Sequence, residues 1–447
     1  MTARTLHLNI NVNSSGRHPA SWRAQRDPLA FLDPAYYETI GRLAERGRLD
    51  AVFFSDGYDY GAPKVARPWQ AFDPLIPLTA VARATSHVGL VATVSSTFNH
   101  PVNIARRIAS LDHISGGRAA WNVVATRAPD AARLFGMEAL PDHDTRYARA
   151  DEVVQAVRAL WDGWDEDALV ADQASGRFAD PSKIHPVAFH GAHVDVEGVL
   201  NVPRSPQGRP VILQAGGSPQ GVALAAKHAD AVFCVNHTIE AAREFYADVK
   251  DRAAAYGRAP EQVLILPGLF PILGATEREA WARKDRLDEL AGTEGELAAL
   301  AGSIGLAPED LSLDAELPWD KLNALPPVPG SQGFRTAILD LADRERLTVR
   351  ELLRRNPAGH RSVVGTPEQV ADTIEDWFTT RAADGFNLNT DYFPEGLEML
   401  VDLLVPELQR RGLFRTEYAA TTLRGNLGLT TPRARRSGPG RAGAAAG

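Results

Sequence analysis

Cysteine is nearly absent. Cys234 is the only one in 447 residues, so no disulfide can form within the chain and the fold must rest on a buried core; a reducing cytoplasm is the expected setting. Cations are not in excess either. Lys and Arg number 48 against 56 Asp and Glu, a net charge of -8, and no Arg/Lys stripe is interleaved with aromatics, which excludes a nucleic-acid partner. No apolar run approaches the roughly 18 residues of a membrane span. The opening "MTARTLHLNINV" lacks the apolar stretch of a signal peptide. A dinucleotide fingerprint, a P-loop and His/Asp metal-ligand spacing are also missing, so no metal is expected.

Alternation is what the chain does have. Runs rich in Val, Ile, Leu and Phe recur at 5–12, 50–56, 88–96, 118–126, 210–216, 230–236, 263–272 and 385–393. Helix-length segments lie between or after them, at 34–48, 73–86, 101–115, 146–162, 219–228, 239–256, 366–381 and 395–411. Such strands suit a parallel sheet buried on both faces, and eight strand–helix units predict an α/β fold, a (β/α)8 TIM-like barrel. The rival is an open doubly wound sheet. Two connections exceed plain barrel loops: 164–209, with a hairpin-like "HVDVEGVLNV", and 274–364. Loops of that length cap sites or make subunit contacts. A single domain over 1–430 is expected, and the Pro/Gly/Ala/Arg-rich tail 431–447 is expected to be disordered.

One strand end stands out. In "PVILQAGGSPQG" an apolar run meets Gly216, Gly217, Ser218 and Pro219. The glycines permit φ > 0 and close approach of a ligand, Ser218 suits an N-cap and Pro219 the first helical position. The helix start then offers N–H groups to an anion such as a phosphate; the alternative is an ordinary capped helix. "RAAWNVVAT" ends with Asn122 and Thr126, and "HDTRYARAD" spaces His143, Tyr147 and Asp151 four apart on one helix face. Asn9, Asn11, Ser55, Asp56, Thr93, Ser95 and Ser96 add polar groups at other strand ends. A barrel gathers all such ends at one mouth, and uncharged donors in a ring suit a large polar heterocycle. Arg17, His18, Arg23, Arg26, Lys64, Arg67 and Arg127 are basic residues of these loops, and Trp22, Tyr58, Tyr60, Trp69 and Phe98 are aromatic ones. The first set would draw an anionic substrate, the second an apolar one. Cys234, mid-strand in "AVFCVN", is expected in the core.

The chain resembles the bacterial luciferase-like flavin monooxygenases, in the branch of nitrilotriacetate monooxygenase, dibenzothiophene sulfone monooxygenase and pristinamycin synthase. The resemblance is carried by "HPASWR" (18–23), "LAERGRLDAVFFSDG" (43–57), residues 89–126, "HDTRYARADEVVQAVRALWDGW" (143–164), residues 200–221 and "VVGTPEQVADTIEDWF" (363–378). It implies FMN, reduced to FMNH2 by a separate NAD(P)H-dependent flavin reductase, in a soluble homodimer or dimer of dimers. Cofactor contacts would be Asp56, Thr93, Asn122, Thr126, His143, Tyr147, Gly217 and Ser218, with the phosphate at Tyr147 and Ser218. The implied reaction is oxygenation of a small organic substrate by O2 through a flavin C4a-(hydro)peroxide. In that chemistry His7 and His100 are candidate acid–base residues, since histidine titrates near neutrality. Alternatives are a deazaflavin-dependent luciferase-like oxidoreductase and a non-catalytic flavin-binding protein. The chain departs from the family's usual pattern at Ala125-Thr126 and in its hairpin, both on the expected substrate side.

Overall fold

The computed structural model describes residues 4–58, 68, 72–325, 332–355 and 359–432. Tyr60, Lys64, Arg67, Trp69 and the tail from 433 lie outside the described residues. Eight parallel strands close on themselves: β1 His7–Val12, β2 Ala51–Phe54, β3 Gly89–Ser95, β4 Ala119–Val124, β5 Val211–Ala215, β6 Ala231–Cys234, β7 Leu264–Leu273 and β8 Gly385–Leu388. Each pairs with the next, and β1 returns to β8 with His7 opposite Gly385. That closure makes the sheet a TIM-like barrel and excludes the open-sheet alternative.

Helix starts follow local chemistry. Asp33, His100, Ser218 and Thr366 each cap a helix with a side-chain acceptor, and each is followed by proline at the first helical position. Asp142 caps the helix His143–Trp161 by accepting from the Thr145 N–H, which moves its start three residues ahead of the expected 146. The outer faces of the strands carry Leu8, Ile10, Val52, Leu90, Trp121 and Ile212, packed with helix residues such as Ile40, Leu78 and Ile104. The inner faces form a second cluster near the N-terminal ends of the strands, with Ala51, Phe53, Val91, Ala120, Leu213 and Leu266. Leu423, Leu427 and Leu429, from the chain's last described segment, complete that cluster and plug the barrel from below. Gly89 has no room for more: an added Cβ would lie 2.5 Å from a Leu423 methyl.

The connection 164–209 holds two hairpins, Leu169–Asp172 with Arg177–Ala179 and Val187–His190 with Asp195–Gly198. The second is the expected one. The connection 274–364 is more than a covering loop. It contains helices Glu277–Ala291, Thr293–Ile304, Trp319–Ala324, Gln332–Glu345 and Val349–Arg355, with a small core of their own that includes Leu300, Ile304, Leu341 and Leu352. Its last strand, Arg361–Gly365, adds in parallel to the outer half of β7.

Leu423→Ala leaves a cavity at a packed end and should cost about 2–5 kcal/mol of stability. Urea titration reads that loss. The plug lies at the opposite end from the strand tips.

Candidate functional site

The C-terminal strand ends hold a hydrogen-bonded polar ring. Ser55 donates to Asn11 Oδ1 at 2.6 Å, and Asn11 donates to Asn389 Oδ1 at 2.9 Å. Ser95 and Thr126 share a hydroxyl pair at 2.7 Å. Asn122 donates to Thr93 Oγ1 at 3.0 Å, while its own Oδ1 is buried without a partner. A buried acceptor left open in this way costs stability unless a bound group satisfies it.

The glycine turn after β5 sits under Tyr147. A Cβ on Gly216 would lie 3.1 Å from the Tyr147 hydroxyl, and one on Gly221 would lie 3.2 Å from it. Neither Gly216 nor Gly217 has positive φ among the described residues. The expectation of a left-handed turn is therefore replaced by one of space: Gly216 makes room for Tyr147 and Gln214, and Gly217 packs against Gly333 of the insertion. Ser218 caps the helix Pro219–His228, its Oγ accepting from the Gly221 N–H at 3.1 Å. The ring of His143 lies 4.7 Å from that of Tyr147. Two ties hold the helices of Tyr147 and Ser218 together: Gln220 donates to Asp144 at 2.8 Å, and Lys227 and His228 bond Asp151 at 2.9 and 2.6 Å. Burial raises the Asp151 carboxyl, but these two partners outweigh it and bring its pKa down to about 2. Asp151 is thus a brace for the site, not part of its surface.

Asp56 follows β2 at the same mouth. Burial pushes its carboxyl up to a pKa of about 6, against the hydrogen bond from the Gly57 N–H and with help from Asp73. A cavity of about 580 Å³ opens beside the glycine turn, between the ends of β4, β5 and β6 and the insertion helix Gln332–Glu345. Gly216, Gly217, Arg127 and Cys234 line it. Cys234 is buried, as expected, and burial raises its thiol pKa. Tyr58, Phe98 and Phe135 form an aromatic cluster on the loops after β2, β3 and β4, with Phe98 stacked on Phe135 at 4.0 Å.

The two candidate acid–base histidines part company: His7 stands at the far end of the barrel, and His100 stands on the mouth side at the start of a helix. His7 opens β1 at the barrel's lower end, where Nδ1 meets Asp50 at 3.1 Å and Arg415 closes the cluster. It is the first residue of its strand, whereas the mouth lies at the strands' far ends. His100 is exposed and caps the helix Pro101–Ser115 through Nδ1, 3.4 Å from the Val102 N–H. The basic loop cluster is also corrected in part. His18 is fully buried and bonds Asp288 at 3.1 Å, and Arg23 bonds the Leu290 carbonyl, so both clamp the insertion helix Glu277–Ala291. Sequence reasoning missed His360, Asn387, Phe334 and Phe135. Asn387 lies in a strand that was read correctly, two residues before Asn389, and an Asn inside an apolar strand was a usable signal.

The luciferase-like monooxygenase family model matches residues 11–384. The chain belongs to the luciferase-like monooxygenases. It is 42% identical to nitrilotriacetate monooxygenase component A of Aminobacter aminovorans, covering 96% of this chain and 98% of that one. It is 41% identical to N-acetyl-S-(2-succino)cysteine monooxygenase of Bacillus subtilis, over 96% and 98% of the two chains. Among solved structures, a riboflavin lyase with modified FMN and riboflavin superposes with a TM-score of 0.82 at 30% identity, over 96% and 97% of the chains. This luciferase-like monooxygenase is therefore an enzyme. No helix among its described residues is long and apolar enough to cross a membrane.

The raised Asp56 carboxyl gives a pH test. Its unfolded value is near 3.8 and its folded value about 6. The folded state holds this proton more tightly, so the penalty of ionising in place grows as pH rises between those values and is complete above them. Asp56→Asn should be more stable than the parent at pH 8 by on the order of 1–3 kcal/mol, with a smaller gain at pH 4.5. Urea titrations at both values check it.

Proposed function

We propose that this chain is the oxygenating component of a two-component monooxygenase, taking reduced FMN from a separate NAD(P)H-dependent reductase. The observation that carries the proposal is the glycine turn after β5, approached by the Tyr147 hydroxyl and continued by a Ser218-capped helix start. Those groups fit a phosphate. The Gly221 N–H is taken by Ser218, so the donors for the phosphate are the Ser218 and Gln220 N–H groups, the Ser218 hydroxyl and Tyr147. His143 stands beside Tyr147 as a further donor. Thr93, Asn122 and Thr126 meet the flavin's polar edge, where the open Oδ1 of Asn122 finds its partner. Asp56, largely withdrawn from water, lies toward the ring or ribityl chain and away from the phosphate.

Reduced FMN supplies the oxygen chemistry, passing one atom of O2 to a small organic substrate while the other leaves as water. The chain's share is to bind the tail, orient the ring and keep water out with the insertion. The word "component" in the name of the Aminobacter relative favours a separate reductase. Exposed Leu29, Leu32, Phe72 and Ile76 on neighbouring elements supply an apolar face suited to a second copy of the chain.

Two experiments test this. FMN is photoreduced anaerobically with the protein before O2 is admitted. Flavin on the enzyme, with no substrate added, should regain its oxidised spectrum and release its hydrogen peroxide more slowly than free flavin; reoxidation at the free rate sinks the proposal. Separately, Ser218→Ala should weaken FMN binding by about 1.5–3 kcal/mol through loss of a charge-assisted hydrogen bond, and weaken the fold by about 1 kcal/mol through loss of the cap. Ser218→Asp keeps the cap while placing a carboxylate against the phosphate, so affinity should fall with little change in melting temperature. Fluorescence titration and thermal melts separate the two effects.

A further inference from the structure

The cavity beside the glycine turn has two unlike ends. Glu244, Asp248 and Arg344 line it where they are exposed to solvent. The inner end is lined by uncharged side chains, Val124, Ala215, Phe233, Cys234, Phe334 and His360, with the Arg17 guanidinium near the imidazole. His360 is the unusual member. It comes from the loop before the strand Arg361–Gly365, yet it is 1% exposed and reaches into the barrel wall. Gly268 of β7 makes the room, since a Cβ there would lie 2.2 Å from His360 Nδ1. The imidazole is nearly parallel to the Phe233 ring at 5.3 Å and meets the edge of Phe334 at 5.1 Å.

The polar atoms around that glycine are not satisfied. His360 Nδ1 is buried with no partner. Asn387, fully buried, is paired with Gly268 across β7 and β8, and both its amide nitrogen and its amide oxygen lack partners. Three orphaned polar atoms beside one missing side chain are a costly arrangement for a core, because each forfeits its hydration without a return. Burial keeps His360 uncharged, and the nearby Arg17 and His237 act in the same direction. An uncharged imidazole with an open nitrogen favours neither a carboxylate nor an ammonium group. It suits a hydroxyl or carbonyl.

We propose that the inner end of this cavity receives the substrate as a flat, uncharged ring compound whose hydroxyl, carbonyl or similar neutral substituent hydrogen-bonds His360. Phe233 and Phe334 supply the ring-shaped walls, and Asn387, paired with Gly268 beside the imidazole, adds an amide whose two polar atoms are still open. The assignment rests on the monooxygenase reading above, which places the reactive flavin at the same mouth.

Phenol and toluene, matched in size and differing by one hydroxyl, are the probes. Titration calorimetry on the FMN-loaded protein should show phenol preferred over toluene, and over benzoate at pH 7.5. His360→Phe keeps the ring and removes the nitrogens, so the phenol preference should fall by about 2- to 10-fold, the worth of one neutral hydrogen bond. His360→Gln restores a hydrogen-bonding group and should recover part of it. Asn387→Leu, close in volume, should lower the preference in the same direction and serves as the test if His360→Phe does not fold. A phenol preference unchanged in His360→Phe and Asn387→Leu, or absent from the parent protein, overturns the assignment. FMN binding is read on the same samples: a parent protein that does not bind FMN overturns the monooxygenase reading instead.

Discussion

Pairing of β1 with β8 is the constraint on which everything else here depends. Parallel strands point their C-terminal ends the same way, but only a closed sheet also bends those ends onto one ring. Asn11 then reaches Asn389 across the seam, although 378 residues separate them in sequence. Ser95 reaches Thr126, and the turn after β5 comes under a tyrosine from the helix before it. None of these contacts is local, but only the first needs the closure, since β3, β4 and β5 are direct neighbours in the sheet.

The barrel spends its two ends differently. Aliphatic side chains fill the lower half of its interior, where the C-terminal leucines stand in for a floor. Amides and hydroxyls occupy the upper half. Several of them lack partners, notably Asn122 and Asn387. A protein that closed around these groups for stability alone would have satisfied them or replaced them with apolar residues of like shape. A ligand that completes them, as proposed above, would offset that cost.

Period and punctuation made the strand–helix series legible from sequence. Seven of the eight barrel strands fall inside the expected ranges and β7 overruns its range by one residue, at Leu273, because Val/Ile/Leu/Phe runs bounded by polar turns have few other solutions. Ser218 as an N-cap and Tyr147 as its neighbour were also legible, one from the Gly-Gly-Ser-Pro order and the other from a shared motif. Residue type alone carried no depth for His7 and His100: one begins its strand at the end away from the mouth, and the other caps a helix on the mouth side. The same holds for His18 and Arg23, whose charge is engaged by the insertion. His360 was out of reach for a different reason. Its position depends on a glycine 92 residues earlier leaving a hole, and no periodicity reports such a pairing.

The leucine plug carries a consequence for traffic. With the floor shut by Leu423, Leu427 and Leu429, the described residues leave the mouth as the one door, and whatever reaches the strand tips shares it. In the proposed reading the flavin and the molecule it oxidises both pass that door, so neither is exchanged independently of the other. A one-door chamber of this kind imposes a queue, and the insertion helix stands at its sill.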